Sequence, residues 1–237
     1  MNRNFGVLIP ATNTTVEIEF TRLIPESLQF HTARLGKGGE TPFSPSLDDD
    51  IAYQSKLLGD AKVEAVSLIQ TSASLFEDGY DTRIKKLISE FSGAPARTSA
   101  EAIGAAARAL HTHKIALVSP YSDEVINRAK NYYENNCGLH VVAAEGFGAT
   151  DAYAIGALDA SHAVEAFERI DTPEIEALVV PGGNFPTMRH IATWEERFGK
   201  PVITTNQVVL WSMMATLSVR EPIPDLGRLL AKVPAWA

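Results

Sequence analysis

Four apolar runs in this chain end in residues whose side chains or backbone can hold negative charge. Val63 to Ile69 leads straight into Gln70, Thr71 and Ser72. Leu178 to Val180 leads into Pro181, Gly182, Gly183 and Asn184. Phe5 to Ile9 stops at Pro10, with Asn13, Thr14 and Thr15 just beyond, and Lys114 to Val118 stops at Ser119, Pro120 and Tyr121. Hydroxyls, an amide and a phenol are hydrogen-bond donors, and glycine lets the backbone approach a ligand closely. Donors fixed where negative charge grows make an oxyanion hole. A polar turn between a strand and a helix N-terminus, as after Pro10, is also a common place to hold an anion.

The elements that position these residues alternate between strand and helix. Helices are expected from about Val16, capped by Thr14 or Thr15, from Ser46 to Asp60, from Glu77 to Phe91 and from Thr98 to Leu110. After residue 113 the order restarts. Helices follow from Ser122 to about Asn136, with Gly138 as C-cap, from Ser161 to Ile170, from Arg189 to Phe198 and, last, from Val208 to Leu217. Strands are expected at Ser27 to Arg34 and Leu139 to Ala144, and the segment from Gly36 to Pro45, with Gly38, Gly39 and Pro42, reads as a loop long enough to be a lid. Gly146 to Thr150 reads as a loop. Pro10 matches Pro120, Gln70 matches Gly182 and Pro95 matches Pro201, so the chain is a tandem repeat of one unit. The expected fold is α/β, two pseudo-symmetric halves that are each a parallel sheet flanked by helices. The expected division is residues 1–95 with 205–225 against 96–204. Sites in such sheets lie beyond the carboxyl ends of the strands, here in a cleft between the halves.

Bulk properties narrow the partners. A net charge of −8 with scattered Lys and Arg argues against nucleic acid. Arg34 to Lys37 and Lys85-Lys86, the densest basic spots, read as solvated surface. No apolar run reaches membrane-spanning length, and the N-terminus lacks the apolar core of a signal peptide. The single cysteine, Cys137, excludes an internal disulfide and fits a reducing cytoplasm. His111 and His113 lack a third ligand, so no metal is expected. Pro181 to Asn184 is not a phosphate loop, and Gly146-Phe147-Gly148 is not a dinucleotide fingerprint.

Each candidate also has a plainer reading. Thr71 and Ser72 can satisfy a loop, Asn13 can make an Asx turn, Tyr121 can be a buried turn aromatic and Asn184 can shape the Gly-Gly turn. Glu17, Glu19, Asp123 and Glu124 read as helix first-turn acids. His190 reads as a surface residue and Cys137 as a packing residue.

Gly6 to Glu17, with its Pro-Ala-Thr-Asn-Thr-Thr core, resembles the N-terminal motif of maleate cis-trans isomerases. Ser67 to Ser74 resembles the first active-site loop of arylmalonate decarboxylases, and Ala116 to Val125 is similar to both. These groups belong to the aspartate/glutamate racemase superfamily, and the resemblance extends over nearly the whole chain. It implies a cofactor-free enzyme acting at the carbon beside a carboxylate of a small carboxylic or dicarboxylic acid, and a homodimer. By the same resemblance the substrate is held by Pro10, Asn13, Gln70, Thr71, Ser72, Tyr121, Gly182, Gly183 and Asn184, with Tyr121, Thr71 and Ser72 catalytic. Racemases of the superfamily use one cysteine from each half, and those positions align with Gln70 and Gly182. Without the thiols, decarboxylase or lyase chemistry is favoured over racemisation or covalent isomerisation. The alternatives are a non-catalytic carboxylate binder, or an isomerase with another base such as His190. The pocket for the substrate's side group is expected from Gly36 to Phe43 and from Phe185 to Met188.

Overall fold

A computed structural model describes residues 2–40 and 43–236. Pro42, read as part of a loop, lies outside the described residues. Two four-stranded parallel sheets carry the chain. The first has the order β2-β1-β3-β4, from β1 (Arg3–Pro10), β2 (Leu28–Leu35), β3 (Val66–Leu68) and β4 (Ala96–Thr98). The second has the order β6-β5-β7-β8, from β5 (Lys114–Tyr121), β6 (His140–Ala149), β7 (Ala177–Val180) and β8 (Val202–Thr204). The second order is the first with four added to each strand, as a duplicated unit requires.

The central strands are unbroken apolar runs because helices cover both faces. Val7, Leu8 and Ile9 on β1 and Ile115, Ala116, Leu117 and Val118 on β5 are all fully buried. The helices are α1 (Val16–Leu23), α2 (Asp48–Asp60), α3 (Tyr80–Ser92), α4 (Ser99–Ala109), α5 (Asp123–Cys137), α6 (Ser161–Ile170), α7 (Ile191–Phe198), α8 (Thr205–Thr216) and α9 (Gly227–Lys232). Helices α2 and α3 pack so closely that a Cβ on Gly59 would lie 2.6 Å from the Ser92 carbonyl oxygen. The apolar helix α8 is buried along most of its length and packs against α4.

Several expectations change. Strand β4 pairs with β3, so the first sheet runs on to Thr98. Gly146 to Ala149 is strand, because β6 pairs with β5 through an irregular register there. The tail folds back into α9 rather than ending at α8. Thr14 and Thr15 do not cap α1: the Asn13 side-chain oxygen accepts from the backbone N–H of Thr15 and of Val16, each at 3.0 Å. The threonine hydroxyls are drawn instead across the cleft to Asn184.

Candidate active site

The strand ends of both halves meet around one cavity of about 390 Å³. All nine residues expected at the site line it: Pro10 and Asn13 after β1, Gln70, Thr71 and Ser72 after β3, Tyr121 at the end of β5, and Gly182, Gly183 and Asn184 after β7. They do different jobs there.

The first-half loop works through side chains. Gln70 accepts from Ser46 N–H and donates to the Ser44 carbonyl, both at 3.2 Å. Ser72 donates to the Phe43 carbonyl at 2.9 Å, so these two residues pin the segment 43–46 over the cavity. The Phe43 ring stands edge-on to Tyr121, with centroids 5.2 Å apart. Burial holds the Tyr121 phenol well above its ordinary value, and Ser72 beside it draws it part of the way back. The phenol therefore stays protonated near neutrality and is a donor rather than a base.

The second-half loop works through backbone. Gly182 sits at φ +130°, where a side chain is strained. A Cβ there would lie 3.8 Å from the Tyr121 hydroxyl, so the absence of a side chain leaves open space beside the phenol. Gly183 packs on the other loop: a Cβ would come within 2.7 Å of Ile69. Asn184 is a strut. Its side-chain oxygen accepts from Thr14 N–H at 2.8 Å and its Nδ2 donates to the Ala152 carbonyl at 2.7 Å.

Glu19, by sequence a first-turn helix acid, is the anchor of this loop. It is 4% exposed and accepts from the backbone N–H of Thr187 and Met188 and from Asn206 Nδ2, at 2.7 to 2.9 Å. Burial pushes its carboxyl above the ordinary range, and the three hydrogen bonds oppose that in part. Asn206 Nδ2 also reaches the Gly183 carbonyl, at 3.1 Å.

Other expectations move. Arg34 and Lys37 are solvent-exposed as expected, but Lys37 also borders the cavity mouth and Arg34 holds the carbonyls of Ala11 and Asn13. Phe185 and Met188 are fully buried in the core and do not line the cavity; Thr150, Asp151, Ala152 and Ile155 do. His190 is outside the cavity, stacked on Trp194 with centroids 5.7 Å apart, and burial lowers its imidazole. Cys137 is outside it too, packed on Gly104, with its thiol pushed up to about 12 by burial. Among the described residues no cluster of three or more His, Cys, Asp or Glu side chains is placed to hold a metal ion. No helix among them is long and apolar enough to cross a membrane.

Two parallel sheets of matching order with a site at their facing strand ends define the aspartate/glutamate racemase-like fold. The chain belongs to the arylmalonate decarboxylase family, whose model matches residues 5–230. It is 26% identical over 240 residues to a maleate isomerase of Nocardia farcinica, covering 96% of this chain and 95% of that one. It is 25% identical over 231 residues to the arylmalonate decarboxylase of Bordetella bronchiseptica, covering 94% and 95%. Among solved structures it superposes on a mutant of the Nocardia farcinica maleate cis-trans isomerase with a covalently bound succinylcysteine intermediate. The TM-score is 0.86 at 25% identity, over 98% of this chain and 99% of that one.

Proposed function

We propose that this protein is a cofactor-independent decarboxylase of small malonate-like acids, working as a homodimer without thiol chemistry. The observation that carries the reading is a cavity that gathers Thr71, Ser72 and Tyr121 while the chain's one cysteine lies elsewhere. An intermediate on cysteine, as in the Nocardia relative, has no counterpart residue in this cavity.

In the proposed reaction the bond between the α-carbon and one carboxylate breaks and CO2 leaves. The bonding electrons stay behind as an enediolate on the remaining carboxylate. The Thr71 hydroxyl and the backbone N–H groups of Thr71 and Ser72 hold that charge, while the Ser72 hydroxyl keeps Phe43 in place. Tyr121 delivers its proton to the α-carbon from the open side beside Gly182, and water returns a proton to the phenolate. Phe43, Leu35, Ile69 and Ile155 supply an apolar wall, which suits a hydrocarbon substituent and keeps water from the departing carboxylate.

The test is CO2 release from phenylmalonate and a panel of alkylmalonates, alongside conversion of maleate to fumarate. Decarboxylation is expected, with Tyr121→Phe slowing it about 100-fold or more. No CO2 from any malonate would sink the reading. Ligand-dependent thermal stabilisation without turnover would then make the protein a carboxylate binder, and maleate turnover an isomerase.

A further inference from the structure

Thr71 does not stand alone. Its hydroxyl lies 2.9 Å from that of Ser99 and 3.4 Å from that of Thr205. Thr205 in turn accepts from the backbone N–H of Gly182 at 2.8 Å. Ser99 and Thr205 are the first residues of α4 and α8, matching positions of the two repeats. The result is a row of hydroxyls that joins the first-half loop to the second.

The protons in this row can be counted. Gly182 N–H and the three hydroxyls carry four, and the row has three links. Whichever way the bonds run, one proton has no acceptor within the row. If it sits on Ser99 or Thr205, it is buried, since each is only 1% exposed and neither lines the cavity. An unpaired buried donor costs free energy. If it sits on Thr71, it is on the one hydroxyl-bearing residue of the row that lines the cavity, where a ligand can accept it. Ser99 and Thr205 then both donate to Thr71, and each donation polarises its hydroxyl toward a further acceptor. The row is complete only when a ligand accepts from Thr71.

We infer that Ser99 and Thr205 are positioning residues that fix the Thr71 hydroxyl as a donor toward an anionic ligand. The inference rests on the carboxylate reading of the site and adds two residues to it. It also gives the two repeats a shared element, because one hydroxyl comes from the start of the matching helix in each half.

The test is a double-mutant cycle read as phenylmalonate affinity by calorimetry, with Ser99→Ala, Thr71→Val and the pair. Ser99→Ala is expected to weaken binding about fivefold in the wild-type background and not at all once Thr71 is valine. Thr205→Ser keeps the hydroxyl and is expected to bind as wild type, while Thr205→Val weakens binding, with thermal unfolding confirming that each variant folds. A merely structural role for Ser99 makes its effect the same in both backgrounds, which would overturn the inference while leaving the carboxylate reading intact. Absence of phenylmalonate and maleate binding by the wild type would overturn both.

Discussion

The loops after β3 and β7 occupy the same place in the repeat and are built in opposite ways. The first presents Gln70, Thr71 and Ser72, whose side chains reach outward to the segment 43–46, to Ser99 and to Thr205. The second presents no side chain at Gly182 or Gly183 and is held from outside by Glu19, Thr205 and Asn206. Duplication yields two equivalent strand ends, but one cavity needs unequal walls. One loop brings amide and hydroxyl side chains to the cavity wall; the other leaves space beside them. The difference lies in what a perturbation should reach: the held loop should answer in stability, the holding loop in local order.

The largest effect is expected at Glu19. Replacing it with alanine leaves the N–H groups of Thr187 and Met188 unpaired in the core and frees Asn206, a loss of roughly 3 kcal/mol. Denaturant unfolding measures it. The gap between wild type and Glu19→Ala also has a pH sign. Because burial raises the folded-state pKa of Glu19, its contribution is full below the unfolded value near 4.5 and declines as pH rises through the raised value. The gap should therefore be wider at pH 4.5 than at pH 8. A gap that stays flat, or widens with pH, would show that Glu19 is not held in a raised state.

Gly182→Ala comes next. At φ +130° an added Cβ is strained whatever the space around it, at a cost of about 1–3 kcal/mol. The new methyl would also contact Pro120 at 3.4 Å and stand 3.8 Å from the Tyr121 hydroxyl. Loss of stability together with loss of phenylmalonate binding is expected, from paired melting and calorimetric titrations. A variant as stable as the wild type would mean that the loop relaxes and that its geometry is not held from outside. The same strain bears on placing a cysteine at this position: such a thiol would stand on distorted backbone.

Much of this was legible in the sequence, and the reason is physical. Buried parallel strands are apolar throughout, and Pro10, Pro120 and the Gly182-Gly183 pair punctuate their ends, so the strand-end residues could be found one by one. The matching of Pro95-to-Ser99 with Pro201-to-Thr205 was the signal that could have pointed to the hydroxyl row. Glu19 carried no such signal. In sequence it looks like any acid in a first helical turn, and its burial depends on backbone 168 residues away. Asn13 took the capping role from Thr15 because Asn184, from the other half, claimed the threonine hydroxyl. Ile155 entered the cavity from a short 3₁₀ helix, Ala154–Ala157, while Phe185 and Met188, neighbours of the glycine pair in sequence, turned inward to the core.

The smallest effect is expected at Gln70, the repeat partner of Gly182. Its amide makes two bonds to the segment 43–46, both long at 3.2 Å, and Ser72 still holds Phe43 if they are lost. Gln70→Ala should therefore cost about 1 kcal/mol or less in global stability. Its effect should be local. The Ser46 N–H loses its acceptor, so its hydrogen exchange should speed up while amides in β1 and β5 keep wild-type protection. Exchange that quickens throughout both sheets would place Gln70 in the global framework alongside Glu19, and the contrast between a loop that holds and a loop that is held would fail.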